Sequence, residues 1–191
     1  MTRSRIEREL EELARLATAS KSLGEQVVSL AARYTEVLRA GGTIFFCGNG
    51  GSAADAQHIA AEYVVRYAQT RSSLAAIALT TDSSILTAIA NDFGYEQVFA
   101  RQVDALCRPG DLLVLHSTSG RSPNLLAAAR AARARGVATV AFLGSGGGDL
   151  GALVDQALVV PSDVTGRIQV LHLTLEHLIV ELVEEALLPT A

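Results

Sequence analysis

Apolar and polar positions follow two different rhythms along the chain, and the change falls near residue 40. From Ser4 to about Ala40 the apolar residues recur every three or four positions: Leu10, Leu13 and Leu16, then Val27, Val28, Leu30, Ala31 and Val37. That spacing predicts amphipathic helix with a break near Gly24. Gly41-Gly42 ends it, since a left-handed helix cap favours residues without a Cβ. Short, continuously apolar runs follow: TIFFC (43–47), AAIALT (75–80), LLVLH (112–116), VATVAFLG (137–144) and ALVVP (157–161). Each reads as a buried strand. Between them lie helical stretches: the alanine-rich segment after GNGGS, SSILTAIAN (83–91), EQVFARQVDAL (96–106) and PNLLAAARAARARG (123–136). The last has Pro in its first turn and Gly at its end. Arg108-Pro109-Gly110-Asp111 marks a turn, SGGGDLG a flexible connection, and a final helix runs from about Thr165 to Leu188. Continuously apolar strands alternating with helices predict a parallel sheet covered on both faces. The expected fold is α/β, a three-layer α/β/α sandwich with a five-stranded parallel sheet. An N-terminal helical hairpin over residues 1–40 is expected to pack outside it. No linker divides the chain, so residues 1–191 read as one domain.

Composition narrows the function classes. Apolar residues make up 49 % of the 191 and charged residues 19 %, enough for a full core and too apolar for disorder. The net charge is −4, and the five arginines between Arg121 and Arg167 are dispersed. With no Trp and few aromatics, neither a nucleic-acid surface nor a base-stacking platform is expected. No apolar run has membrane-spanning length, and the start, MTRSRIERELEEL, is charged rather than signal-like. Cys47 and Cys107 are the only cysteines, too few for a disulfide framework, which points to a reducing cytoplasm.

Two turns at the carboxyl ends of strands are rich in small polar residues, where ligands of open α/β sheets bind. One is Gly48-Asn49-Gly50-Gly51-Ser52. The other is Ser117-Thr118-Ser119-Gly120-Arg121-Ser122. Each leads into a helix, whose free N–H groups suit an anion. The first is neither a Walker loop nor G-x-G-x-x-G, and either loop alone could be a tight turn with a hydroxyl cap. The second carries four hydroxyls in six residues, more than capping needs. Arg121 adds charge there or points into water.

His58 and Glu62 are i and i+4, so they share a helical face about 6 Å apart. The spacing suits a metal pair, and equally a hydrogen-bonded surface pair. The last helix, RIQVLHLTLEHLIVELVEEALL, is apolar yet carries Gln169, His172, Glu176 and His177. Glu176 and Glu181 read as a wetter face. His172 and His177 are five apart, so at most one is functional and the other structural. His116 is a third candidate histidine or a plain strand-end residue.

GNGGSAADAQHIAAE, TDSSILTAIANDFGYEQVFARQV, PGDLLVLHSTSGRSPN, and GRIQ with a histidine eight residues after its glutamine together resemble the phosphoheptose isomerases of the sugar-isomerase (SIS) fold. The resemblance covers the chain from the N-terminal helices to Leu188. It implies a homotetramer with active sites at subunit interfaces, one zinc per subunit, and conversion of D-sedoheptulose 7-phosphate to D-glycero-D-manno-heptose 7-phosphate. By motif, the implied zinc ligands are His58, Glu62, Gln169 and His177, and the implied acid/base pair is Glu62 and His177. Implied substrate contacts are Asn49, Gly50, Gly51, Glu62, Asn91, Asp92, Ser117, Thr118, Ser119, Ser122 and Gln169, with Ser52 and Arg66 as weaker candidates. Three residues depart from the family pattern: Arg121 stands for a usual Asn, His116 for a usual apolar residue, and Gly166 for an acidic residue of some relatives. They leave open a related phosphosugar. Some close relatives bind the bacterial replication initiator without catalysis, but lack the acid/base pair that Glu62 and His177 supply here. Gln169 and His177 are eight residues apart, roughly 12 Å along a helix. One zinc therefore draws both only if two chains contribute or the helix is distorted at its start.

Overall fold

The computed structural model describes residues 3–188; the remainder of the expected 1–191 domain, residues 1–2 and 189–191, lies outside them. The chain opens with α1 (Arg3–Ala19), a 3₁₀ turn at Ser20–Leu23 and α2 (Gly24–Arg39). The break thus falls just ahead of Gly24. There follow β1 (Ile44–Gly48), α3 (Gly51–Val64), β2 (Ala76–Ala78), α4 (Ser83–Phe93), α5 (Ala100–Leu106), β3 (Leu112–Ser117), α6 (Pro123–Ala134), β4 (Ala138–Leu143), the short α7 (Gly148–Gly151), β5 (Gln156–Val159) and α8 (Thr165–Leu187). The five strands form one all-parallel sheet in the order β2-β1-β3-β4-β5.

Alternation along the strands sorts side chains between two cores. Ile44, Phe46, Leu112, Val114, Val140 and Phe142 face the layer of α2, α3 and α8. Phe45, Cys47, Leu113, Leu115, Ala141 and Leu143 face the layer of α5 and α6. Each fully buried Phe or Leu contributes roughly 1.5–3 kcal/mol relative to exposure. Burial on both faces explains why the strand runs are continuously apolar.

The chain winds outward from β1 to β2, then returns to place β3 on the other side of β1. The order reverses between β1 and β3, which opens a crevice at their carboxyl ends. GNGGS leaves β1 and STSGRS leaves β3, so both polar turns flank that crevice. α8 runs without interruption, which removes the distorted-helix alternative for Gln169 and His177.

Several expectations change. Residues 96–106 are not one helix: a 3₁₀ turn at Tyr95–Gln97 precedes α5, with Val98 and Phe99 buried at the junction. SGGGDLG is a packed turn rather than a flexible connection, because it sits against the serine loop. A Cβ on Gly120 would lie 2.0 Å from the Gly147 carbonyl oxygen, and one on Gly148 2.5 Å from that of Ser119. Leu10, placed on the α1 apolar stripe, is 61 % exposed, and Leu16 is the α1 residue that reaches the core. α1 is tied to α8 where Arg167 pairs with Glu9 and Glu12. Glu176 does not lie on a wetter face. It is fully buried and meets His116 of β3 at 2.7 Å, because residue 116 falls on the α8 side of the sheet. Glu181 is exposed as expected.

No described helix is long and apolar enough to cross a membrane. Cys47 and Cys107 are buried free thiols, and burial raises both pKa values, that of Cys107 to about 12.

Candidate active site

The first loop turns at Gly50, whose φ of +58° belongs to glycine. Ser52 and Ala53 N–H then donate back to the Asn49 and Gly50 carbonyls, which starts α3. Gly51 leaves room for α8: a Cβ there would lie 2.6 Å from Gln169 Nε2. Gln169 Nε2 also reaches Ser52 Oγ at 3.4 Å.

In the second loop Ser117 Oγ accepts from Gly120 N–H at 3.0 Å, and Ser119 Oγ from Arg121 N–H at 3.3 Å. Ser122 precedes Pro123 at the first turn of α6. Thr118 and Ser122 are half-buried, while Ser119 and Arg121 are exposed. A cavity of about 280 Å³ lies between the loops, lined by Asn49, Tyr95, Glu96, Ser122, Pro123 and Asn124. Asn49 and Asn124 bond each other, and Tyr95 Oη donates to Asn49 Oδ1 at 3.1 Å. Asn91 and Asp92 are exposed near the end of α4, with Asn91 Nδ2 donating to Asp92 at 2.8 Å.

A second cluster lies two to three turns further along α3. His58 Nε2 is 3.3 Å from Glu62 Oε1 and 3.1 Å from His177 Nε2 of α8. One donor atom from each of the three falls within 4.8 Å of the others. Two imidazole nitrogens and a carboxylate oxygen are the donor set of a catalytic zinc site. Tetrahedral zinc with ligands near 2.0 Å holds such atoms about 3.3 Å apart, so these residues fit that ion. Burial lowers the His177 pKa, and the neighbouring His58 adds to the effect against the opposing Glu62.

Gln169 does not join this cluster in one chain, since α8 carries it to Ser52 instead. Ser52 and Glu62 are ten residues apart, about 15 Å along α3. The chain thus presents a polar crevice at one end of α3 and a His-Glu-His group towards the other.

The remaining histidines are structural. His172 is buried and donates from Nε2 to the Leu143 carbonyl at 3.0 Å; burial lowers its pKa to about 4. For His116, burial alone would lower the pKa, but the Glu176 carboxylate outweighs it by charge and hydrogen bond and the net shift is upward.

Sequence reasoning missed Tyr67, Arg71, Tyr95, Asn124 and Glu184. Tyr95 lies inside a quoted motif and Asn124 next to the helix-starting proline. Glu184 is seven residues past His177, the same face two turns on, which is the signal that could have marked it.

A family model described as SIS domain matches residues 10–144. The chain is 58 % identical over 161 residues to a phosphoheptose isomerase of Roseiflexus sp. (strain RS-1), covering 84 % of this chain and 82 % of that one. The solved structure of a phosphoheptose isomerase from Neisseria gonorrhoeae is 42 % identical, with a TM-score of 0.91 over 95 % of this chain and 98 % of that chain. That of one from Francisella tularensis is 32 % identical, with a TM-score of 0.93 over 97 % and 100 %. By its fold, its motifs and these relatives, the chain belongs to the phosphoheptose isomerases, aldose–ketose isomerase enzymes built on the SIS domain.

Proposed function

We propose that this protein interconverts D-sedoheptulose 7-phosphate and D-glycero-D-manno-heptose 7-phosphate through an enediol, the first step of nucleotide-activated heptose synthesis. The observation that carries this reading is the meeting of the Glu62 carboxylate and the His177 imidazole, from two different helices, in one group with His58. Isomerisation moves a proton between C1 and C2, which needs a base at carbon and an acid at the oxygens. Glu62 is the base and His177 serves the oxygens. The phosphate is held at the serine loop, where hydroxyls, backbone N–H groups and the start of α6 supply donors without a lysine. His58, Glu62 and His177 would hold zinc, which when bound would supply a Lewis acid for the sugar carbonyl.

We further infer that each site draws on two chains of a homotetramer. The helical rise separates Gln169 from His177 by about 12 Å, more than two side chains close on one ion, so the Gln169 serving one triad belongs to a neighbouring copy. Exposed apolar side chains support association: Ile6 and Leu10 on α1, and Val170 and Leu178 on α8, are 62 %, 61 %, 48 % and 45 % exposed.

The test is incubation of zinc-loaded protein with sedoheptulose 7-phosphate, followed by NMR. The aldose heptose phosphate is expected. Turnover of a shorter ketose phosphate with none of the heptulose phosphate would overturn the reading.

A further inference from the structure

We propose that Tyr67 is a positioning residue for His177, held in place by a buried clasp between Arg71 and Glu184. The inference rests on the reading of His177 as a proton-handling group. The Tyr67 ring lies nearly parallel to the His177 imidazole, with centroids 5.2 Å apart and planes 14° from parallel. At its Nε2 edge the imidazole meets His58, tilted by 60° with ring centroids 5.1 Å apart. A histidine ring is oriented by what holds its nitrogens and by what packs on its faces. Here one face is held by an aromatic plane at offset-stacking distance.

Tyr67 sits in residues 65–75, which form neither helix nor strand. Such a segment orders a ring only if something fixes its backbone. Glu184 does so. Its Oε1 accepts from Tyr67 N–H at 2.8 Å, and its Oε2 from Ala68 N–H at 2.9 Å and Gln69 N–H at 3.0 Å. Arg71 Nε donates to Oε1 at 2.9 Å, and both side chains are almost wholly buried. Burial alone would raise the Glu184 pKa, but these donors outweigh it and hold the carboxyl below its ordinary value. The Arg71 guanidinium also donates to the Tyr63 carbonyl at 2.8 Å and the Glu62 carbonyl at 2.7 Å, at the end of α3. Glu184 and His177 lie two turns apart on one face of α8. One buried ion pair therefore ties together the backbone of Glu62, the segment bearing Tyr67 and the helix bearing His177. A carboxylate with four donors and a guanidinium with its own acceptors are the satisfied form in which buried charge fixes geometry.

The test compares Tyr67→Leu, which removes the ring, with Tyr67→Phe, which keeps it. Both are read by steady-state kinetics on sedoheptulose 7-phosphate, thermal unfolding, and the His177 Hε1 resonance, assigned by its loss in His177→Gln. Misplacing the imidazole in Tyr67→Leu should lower kcat roughly 10- to 100-fold with little change in KM. Its Hε1 resonance should move and its unfolding temperature stay near wild type, while Tyr67→Phe restores both kcat and the resonance. A wild-type kcat in Tyr67→Leu, a raised KM with kcat unchanged, equal damage in both variants, or an unmoved resonance each overturns the proposal. If the wild-type protein fails to turn over the heptulose phosphate, the functional reading falls, and the resonance still decides whether Tyr67 holds His177.

Discussion

Asn49 and Asn124 hold each other by two side-chain hydrogen bonds, Asn49 Nδ2 donating at 3.0 Å and Asn124 Nδ2 donating back at 2.8 Å. Asn49 comes from the turn after β1 and Asn124 from the first turn of α6, just past the serine loop, so the pair ties the two polar loops together across the switch point. Asn124→Ala leaves Asn49 short of a partner, at a cost of about 1–3 kcal/mol in stability. The loops then lose their fixed spacing, and KM for sedoheptulose 7-phosphate should rise roughly tenfold, about 1.4 kcal/mol of binding. Steady-state kinetics with urea unfolding check it; an unchanged KM contradicts the loop-locking role.

Buried charge behaves differently at His116 and Glu176. His116→Leu strands a buried carboxylate and should destabilise the protein by about 3–5 kcal/mol. Replacing both partners by apolar residues should recover most of that loss, since a well-packed apolar pair avoids desolvation altogether. Urea midpoints of the two single variants and the double variant decide this. A double variant as unstable as the sum of the singles would be the contrary result.

Acid should weaken the fold through His172. Its imidazole titrates near its ordinary 6.5 in the unfolded chain but only at about 4 when folded. Between those values the unfolded state binds more protons, so stability falls as pH falls through the window, by about 3 kcal/mol in all. His172→Gln keeps an N–H for the Leu143 carbonyl and removes the titration. Denaturant unfolding across the window should show a shallower pH slope in this variant; an identical slope contradicts the assignment.

The strands, the two polar loops and the His58–Glu62 pair are legible in sequence because each leaves a local mark: a continuous apolar run, a cluster of hydroxyls and glycines, a one-turn spacing. His177 could not be separated from His172 by spacing alone; it takes the fold to show that His172 is spent on the Leu143 carbonyl. Glu176 looked solvated because a lone acid on a helix usually is, while its partner His116 lies sixty residues away and on another element. The same limit hid the Asn49–Asn124 pair and the Glu184 clasp, whose partners are 75 and 113 to 117 residues apart and obey no period.

Zinc binding can be read without turnover. After chelation, calorimetric titration with zinc should return one ion per chain. His58→Ala and His177→Ala should each weaken binding by more than the roughly 10- to 100-fold that loss of an outer-shell partner costs. Wild-type affinity in both variants would exclude the triad as the zinc site.

A site shared between chains predicts complementation. Glu62→Gln and Gln169→Ala proteins should each be inactive alone. Co-assembled, they should regain part of the wild-type rate, because some sites then pair an intact Glu62 from one chain with an intact Gln169 from the other. Mixed assemblies that stay inactive would place the whole site within one chain.

Whether Glu62 carries the carbon-bound proton is read from turnover of sedoheptulose 7-phosphate by Glu62→Gln protein, followed by NMR at matched zinc occupancy. The expected result is a rate lowered roughly 100- to 10,000-fold, with the assembly and its unfolding temperature unchanged. Conversion at the wild-type rate would contradict it.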